Sequence, residues 1–200
     1  MIFVICGPSG VGKSTLAAEF RQRHPELTVS RSHTTRAPRG TERNGVEYDF
    51  VSEAEFETMV NNDEFAEHAN VFGCCYGTAR ATLQKILDDG RYPLLDIDYQ
   101  GAKQITEVFP AQAVTILITP PSMTVLQARL TGRRTDTEEQ INRRLAKAKH
   151  ELSQYEQFRY VVINDRLEAA VDRLDAIFLA ERSRVSRNIE LMKGFLSFNP

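Results

Sequence analysis

The sequence predicts an α/β fold in which an open parallel sheet is flanked by helices. Three observations support this fold class: short apolar strand patterns alternate with helical patterns, the first strand leads directly into a glycine-rich loop, and a helix follows that loop at once. The first strand, Ile2–Cys6, is apolar throughout, as is typical of a strand buried on both faces. With 200 residues, of which 42% are hydrophobic and 26% charged, the chain can form one globular domain with one core.

The loop after the first strand carries the most specific chemical signal. It reads Gly-Pro-Ser-Gly-Val-Gly-Lys-Ser over residues 7–14, and it matches the pattern G-x-x-x-x-G-K-[ST] between a strand and a helix. Glycines let backbone amides curl around an anion, and the helix N-terminus adds partial positive charge. In this pattern Lys13 reaches the outer phosphates and the Ser14 hydroxyl binds Mg²⁺. The predicted triphosphate site consists of Gly7, Pro8, Ser9, Gly10, Val11, Gly12, Lys13, Ser14 and Thr15.

The rest of the core alternates between strands and helices. Strand patterns lie at 93–98, 113–118 and 160–164, and helical patterns at 80–89, 100–108 and 122–130. Thr137 and Gln140 form a capping-box signature that opens a longer helix with one apolar face. A last helix is predicted from 166 toward 187, and residues 188–200 fit either a docked helix end or a frayed tail.

The segment from 29 to 78 interrupts this alternation. It contains arginines at 31, 36, 39 and 43, followed by an alternating pattern over 46–51 that is typical of a half-exposed strand. Ser52 and Glu55 predict a capped short helix, and 65–71 and 75–78 favour strands around Gly73. An insertion rich in extended structure can hold a second ligand away from residues 7–14, which are called the phosphate loop below.

Composition argues against several classes of function. The net charge of −2 gives no general attraction to nucleic acid or to an anionic membrane. Apolar runs are far shorter than the ~20 residues that span a bilayer, and no basic segment precedes the first strand, so we expect neither a membrane partner nor a signal peptide. The three cysteines, Cys6, Cys74 and Cys75, have neither a disulfide-framework nor a zinc spacing. We therefore expect reduced thiols in a cytoplasmic protein.

The motifs together resemble those of the guanylate kinases. The match runs from residue 2 to about residue 186 and rests on residues 7–14, 32–39, 44–50, 67 with 76–78, 96–101, and 133–136 leading to Arg144. The resemblance implies a P-loop kinase core (1–31 and 79–187), a small mixed-β insertion that binds GMP (about 32–78), a lid (about 131–140) and a tail (188–200), all within one domain. It implies phosphorylation of GMP, or of dGMP, by ATP, with Mg²⁺ as the cofactor.

The resemblance also assigns residues to the GMP site. The GMP phosphate would be held by Arg36, Arg39, Tyr48 and Tyr76, and a guanidinium fork indeed matches phosphate oxygens. Guanine would be bound by Ser32, Glu67, Thr78 and Asp98. Guanine presents two adjacent donors, N1–H and N2–H₂, which suit the two oxygens of a carboxylate, whereas an ionised Glu67 would repel the N1 lone pair of adenine. Thr78 could also cap the helix that begins near Ala79.

The predicted metal and phosphoryl-transfer groups follow the next strand and the lid. Asp96 and Asp98 end a buried strand at its carboxyl side, where ligands bind in open α/β sheets. One of them, by preference Asp96, would orient the Mg²⁺ shell together with Ser14, and the division of roles between the two carboxylates stays open. Lys13, Arg133 and Arg144 are the predicted catalytic cations. Arg134 replaces a glycine that is usual in the family, and its effect is also open.

Two other functions fit parts of the sequence. An inactive guanylate-kinase-like module would present a peptide-binding surface, but such modules tend to lose the phosphate loop or its lysine, and this chain keeps Gly12, Lys13 and Ser14. A P-loop kinase for another phosphorylated acceptor, such as a ribose bisphosphate, needs no carboxylate that reads guanine, and Glu67 with Ser32 argues against it. A homo-oligomer is possible, and the sequence does not determine it.

Overall fold

The structure, a computed structural model, describes residues 1–71, 73–132 and 137–197. Its strands and α-helices are, in chain order, β1 (Ile2–Cys6), α1 (Lys13–Arg23), β2 (Leu27–Val29), β3 (His33–Thr34), β4 (Asp49–Phe50), α2 (Glu53–Asn61), β5 (Phe65–Val71), β6 (Cys74–Ala79), α3 (Arg80–Asp88), β7 (Tyr92–Asp96), α4 (Tyr99–Val108), β8 (Ala113–Thr119), α5 (Met123–Thr131), α6 (Glu138–Ser153), β9 (Tyr160–Ile163), α7 (Leu167–Arg182) and α8 (Ile189–Leu196). None of the described helices is long and apolar enough to cross a bilayer.

The core is a five-stranded, wholly parallel sheet in the order β2-β7-β1-β8-β9. β1 lies at its centre and is buried along its whole length. Because strand side chains alternate between the faces, Phe3 packs against Phe20 of α1 and Phe178 of α7, whereas Val4 packs in a second core with Ile105 of α4. The predicted α/β class, with helices on both faces of a parallel sheet, is confirmed.

Residues 33–79 carry a second, mixed sheet in the order β4-β3-β6-β5. β3 runs parallel to β4 and antiparallel to β6, and β5 and β6 form an antiparallel hairpin with a register shift between Phe65 and Glu67. α2 is held by the predicted capping box of Ser52 and Glu55, and its Phe56 ring stacks on Phe65 at 4.6 Å between centroids. This sheet stands beside the carboxyl ends of the parallel strands.

The loop between β1 and α1 is locked against the strands around it. Gly7, Gly10 and Gly12 all have positive φ, which favours glycine. A Cβ at Gly12 would lie 2.7 Å from Nδ2 of Asn164, and that same Nδ2 donates to the Val11 carbonyl at 2.7 Å. Contacts within the chain therefore hold the backbone of this loop.

Two strand boundaries predicted from the sequence were wrong, and two short strands were missed. The strand predicted over 46–51 is only Asp49–Phe50, because residues 43–48 form a turn in which Gly45 has positive φ and its carbonyl accepts from Arg31. The strand predicted to reach 98 ends at Asp96, and Asp98 becomes the N-cap of α4. β2 and β3, which are only three and two residues long, were missed.

The C-terminal part also differs from the expectation. The helix predicted to continue to 187 ends at Arg182, because the Asn188 amide donates to the carbonyls of Arg182 and Arg184 at 2.8 and 2.9 Å. A short 3₁₀ turn (Val185–Arg187) follows, and then α8, none of whose residues is buried.

Candidate active site

A cleft of about 440 Å³ opens between the carboxyl ends of β1 and β7 and the mixed sheet. Such a crevice at the carboxyl ends of parallel strands is where open α/β sheets bind ligands. The predicted residues that line it are Gly7, Ser9, Gly10, Gly12, Lys13, Ser14, Thr15, Ser32, Tyr48, Glu67, Tyr76, Asp96 and Asp98. The structure thus brings the phosphate loop and most of the predicted GMP residues together on one cavity.

Lys13 is the first residue of α1, and its ammonium group curls back over the loop. Nζ donates to the Gly7 carbonyl at 2.6 Å and to the Pro8 carbonyl at 3.5 Å, and it lies 3.8 Å from Oδ1 of Asp96. Pro8 and Val11, two residues of the predicted triphosphate site, have buried side chains. The charge of Lys13 is therefore already held at the mouth of the phosphate loop.

Asp96 ends β7 beside the phosphate loop and faces the cleft. Desolvation raises the pKa of its carboxyl group, while the charge of Lys13 and a hydrogen bond from the Ser14 side chain lower it. The hydroxyl of Ser14 and the carboxylate of Asp96 thus share one small region. Oxygen ligands of this kind are those that Mg²⁺ prefers, with water completing its shell.

Glu67 is buried, at 3% exposure, on β5 at the far side of the cleft. Its Oε1 accepts from the Thr78 hydroxyl at 2.6 Å, while a Cβ at Gly101 would lie 2.5 Å from Oε2. Burial raises the pKa of Glu67 to about 7, and the hydrogen bond from Thr78 opposes that rise. The predicted capping role of Thr78 is wrong, because Ala79 is the N-cap of α3 and the Thr78 hydroxyl donates to Glu67 instead.

The predicted phosphate-binding arginines lie at the edge of the mixed sheet. The Arg36 guanidinium pairs with Glu42 at 2.9 Å and lies 5.3 Å from the centroid of the Tyr48 ring, which is 6.1 Å from the ring of Tyr76. The backbone N–H of Arg39 donates to the same Glu42, and its side chain is exposed. Arg36 therefore belongs to a cluster with both tyrosines, and Arg39 stands outside it.

Asp98 and Ser32 complete the predicted GMP set. Oδ1 of Asp98 accepts from the backbone N–H groups of Gln100 and Gly101, both at 3.0 Å, so the carboxylate caps α4 while it lines the cleft. Ser32 lines the cleft from the segment between β2 and β3.

Sequence reasoning missed two charged residues that α6 contributes to the cleft. Lys147 and Glu151 both line it, with Nζ 3.6 Å from Oε1, and Glu151 is buried. Desolvation raises the pKa of Glu151, and the charges of Lys147 and Lys13 lower it. Their spacing of four residues was the only signal in the sequence, and it is also typical of a surface ion pair.

The predicted lid arginines are placed in part. Arg144 lies half-buried on α6, one turn before Lys147. Arg133, with Arg134, lies outside the described residues. The predicted capping box of Thr137 and Gln140 is confirmed and begins α6 directly after that segment.

Comparisons with known proteins show the family of this chain. The guanylate kinase family model matches residues 1–181. The guanylate kinase of Chromohalobacter salexigens is 44% identical over 186 residues, covering 93% of this chain and 86% of that protein. The guanylate kinase of Salmonella typhimurium is 44% identical over 198 residues, covering 98% of this chain and 95% of that protein.

Solved structures give the same result. The crystal structure of guanylate kinase from Anaplasma phagocytophilum superimposes with a TM-score of 0.79 at 34% identity and covers 100% of this chain and 97% of its own. The SH3-kinase fragment of tight junction protein 3, at 12% identity and a TM-score of 0.53 over 92% of this chain and 58% of its own, shares the fold alone. The chain therefore belongs to the guanylate kinase family, the nucleoside monophosphate kinases that phosphorylate GMP.

Proposed function

We propose that the protein transfers the γ-phosphoryl group of ATP to GMP, or to dGMP, inside the described cleft. The observation that carries the proposal is the position of Glu67, a buried carboxylate that faces the same cavity as the phosphate loop but from the opposite side. One cleft can then hold a triphosphate and a guanine nucleotide with their phosphates toward each other.

On the donor side, the loop amides, the α1 N-terminus and Lys13 would hold the triphosphate. The ammonium group of Lys13 would give up its hydrogen bond to the Gly7 carbonyl and donate to phosphate oxygens of the bound triphosphate instead. The Ser14 hydroxyl and the Asp96 carboxylate would hold Mg²⁺ with its ATP, because they are adjacent oxygen groups at the cleft. Bound there, the ion would neutralise charge on the β- and γ-phosphates.

On the acceptor side, the buried carboxylate of Glu67 would accept from N1–H and N2–H₂ of guanine. Oε1 of Glu67 is fixed by the Thr78 hydroxyl, so the carboxylate has a defined orientation. Ser32 and Asp98 line the same end of the cleft. Arg36, Tyr48 and Tyr76 would hold the GMP phosphate, with Arg36 shared between the phosphate and Glu42. Arg39 would have to swing inward to join them.

The reaction needs little proton transfer. A phosphate oxygen of GMP is the nucleophile, and it is already ionised at neutral pH because the second pKa of a phosphate monoester is about 6. It forms a bond to the γ-phosphorus while the bond from that phosphorus to the bridging oxygen breaks, and ADP leaves. Lys13 and Arg144 would stabilise the charge during the transfer, with Arg133 of the proposed lid over about 131–140. Closure of that lid would exclude water.

A coupled assay of ADP release tests this function. The purified protein is given ATP and Mg²⁺ with GMP, dGMP, AMP, CMP or UMP in turn, and we expect turnover of GMP and dGMP at rates far above the others. A matched reaction without a monophosphate measures ATP hydrolysis alone. Equal turnover of AMP and GMP would contradict the proposed guanine site.

A further inference from the structure

The Gln104 side chain joins helix α4 to the mixed sheet in an unusual way. Its Oε1 accepts from the backbone N–H of His68 at 3.0 Å, and its Nε2 donates to the carbonyl of the same His68 at 2.9 Å. One carboxamide thus makes the pair of hydrogen bonds that a neighbouring strand would make to one residue of a ladder.

β5 needs such a partner because it is the last strand of its sheet. It pairs with β6 on one side, and among the described residues no strand pairs with its other side. Phe65 pairs with Ala79 and Glu67 pairs with Thr78, the residue next to Ala79, so β5 has one extra residue between the two pairs. This extra residue, Ala66, forms a β-bulge. Bulges change the direction of the side chains that follow, and the next side chain is Glu67.

The same helix meets Glu67 directly. Gly101 lies one turn before Gln104 on α4, and a Cβ there would be 2.5 Å from Oε2 of Glu67. The position of the carboxylate in the cleft therefore depends on how closely β5 approaches α4. Ala66, immediately before Glu67, is buried in the core that α4 helps to form, so this end of β5 is already packed against the helix.

We infer that Gln104 is a positioning residue for guanine recognition: its carboxamide replaces a neighbouring strand at the edge of β5 and holds Glu67 at a fixed distance from α4. The inference rests on the proposed role of Glu67. Gln104 does not line the cleft as described, so it acts on the acceptor nucleotide only through the strand. A displacement of about 1 Å at a recognition group is enough to weaken binding and turnover strongly.

Two variants and one control test the inference. Gln104→Ala removes both hydrogen bonds, and Gln104→Glu keeps the length of the side chain but replaces the donor with a second oxygen that faces the His68 carbonyl. We expect KM for GMP to rise about 10-fold in both variants while KM for ATP changes less than about 2-fold. Lys103→Ala, at an exposed neighbour on α4 that pairs only weakly with Glu107 at 4.0 Å, should leave both KM values unchanged.

Hydrogen exchange gives a second readout that a general loss of stability would not reproduce. In Gln104→Ala the amides of residues 66–70 should exchange faster, whereas those of β1 and β8 should not. Unchanged KM for GMP in both folded variants would overturn the inference, as would equal rises in KM for ATP and GMP. A normal Gln104→Glu beside an impaired Gln104→Ala would also overturn it, because packing and not pairing would then be the cause.

A parallel measurement on Glu67→Gln separates this inference from the function on which it rests. Unchanged KM for GMP in Glu67→Gln would mean that guanine is read elsewhere, and the proposed acceptor site would fail. Impaired Glu67→Gln with normal Gln104 variants would leave that site in place and overturn only the role of Gln104.

Discussion

At the scale of single residues, Lys13 and Glu67 line one cleft, Lys13 from the start of α1 and Glu67 from β5 of the mixed sheet. Lys13 is held by backbone carbonyls and by Asp96, all of which a phosphate can replace or share. Glu67 is buried and bonded to Thr78, but burial still raises its pKa, so its charged form would be stabilised by further donors. Each residue is therefore in an environment that a nucleotide would complete.

Replacing Lys13 tests the donor side. In Lys13→Ala we expect kcat to fall about 1000-fold, because charge that develops on the transferring phosphoryl group loses a fixed cation. The fold should persist, since the glycines and the bond from Asn164 to Val11 hold the loop. The measurement is the coupled assay with circular dichroism as a check of folding, and Lys149→Ala, at an exposed lysine of α6, is the control. Near-normal kcat in a folded Lys13→Ala protein would show that the loop is not catalytic.

Replacing Glu67 tests the acceptor side. Glu67→Gln keeps the size of the side chain, but its amide must turn an N–H₂ group toward a guanine donor. Loss of such a charge-assisted pair costs about 2–4 kcal/mol, so kcat/KM for GMP should fall roughly 30- to 1000-fold. KM for ATP should be unchanged, and the preference for GMP over AMP should narrow, because the carboxylate no longer repels adenine. Steady-state kinetics with each nucleotide measures both effects, and Glu57→Gln at an exposed position of α2 is the control.

At the scale of elements, one side chain connects the start of α4 to the cleft. Asp98 caps the helix through two backbone N–H groups and lines the cleft with the same side chain. The two capping boxes predicted from sequence, at the starts of α2 and α6, need only residues three positions apart. The cap of α4 also uses a nearby carboxylate, that of Asp98. The cleft that this carboxylate lines, however, is formed in part by the mixed sheet.

Two variants of Asp98 separate these roles. Asp98→Asn retains an oxygen that can cap α4, whereas Asp98→Ala loses it. The free energy of unfolding of Asp98→Ala should therefore be about 1 kcal/mol lower than that of Asp98→Asn. KM for GMP should rise in both, because neither keeps the carboxylate at the cleft. Urea denaturation and GMP kinetics on the two proteins give the comparison. Equal unfolding free energies would contradict the role of the cap, and a normal KM for GMP in Asp98→Asn would contradict the role in binding.

At the scale of the whole molecule, the buried carboxylate of Glu67 links folding to pH. Its pKa rises from 4.5 to about 7 on folding, chiefly through burial. The unfolded chain therefore releases this proton at lower pH than the folded protein does, and the contribution of Glu67 to stability is complete below pH 4.5 and is lost as pH rises through 7. At about 1.4 kcal/mol per unit of pKa, that loss reaches about 3 kcal/mol.

Glu67→Gln should therefore stabilise the free protein at high pH while it impairs GMP turnover. We expect its unfolding free energy, relative to that of the natural chain, to increase between pH 4.5 and pH 7 and to level off above pH 7, since an amide does not ionise. Urea denaturation at four pH values measures the difference, and the exposed Glu57→Gln should show none of this pH dependence. A constant difference over that range would show that Glu67 keeps an ordinary pKa.

The most reliable sequence-based predictions came from contiguous patterns. The phosphate loop, the apolar strand before it and both capping boxes each depend on residues within a few positions, and the structure confirms all of these elements. Errors arose where a distant partner decided the local structure. Thr78 bonds to Glu67 on a neighbouring strand and so does not cap α3, and the turn over 43–48 is held in part by Arg31.

The fold class and the family of this protein could be predicted from the amino-acid sequence, because the phosphate loop and the motifs around it are specific patterns of nearby residues. Packing between elements decided which side chains reach the cleft and which bond across the fold. Lys147 and Glu151 reach the cleft only because α6 packs beside it, and Gln104 bonds to His68 across 36 positions of the chain. No periodic pattern in the sequence predicts either arrangement. Contacts between elements depend on how whole helices and strands pack, and not on the spacing of residues within one element.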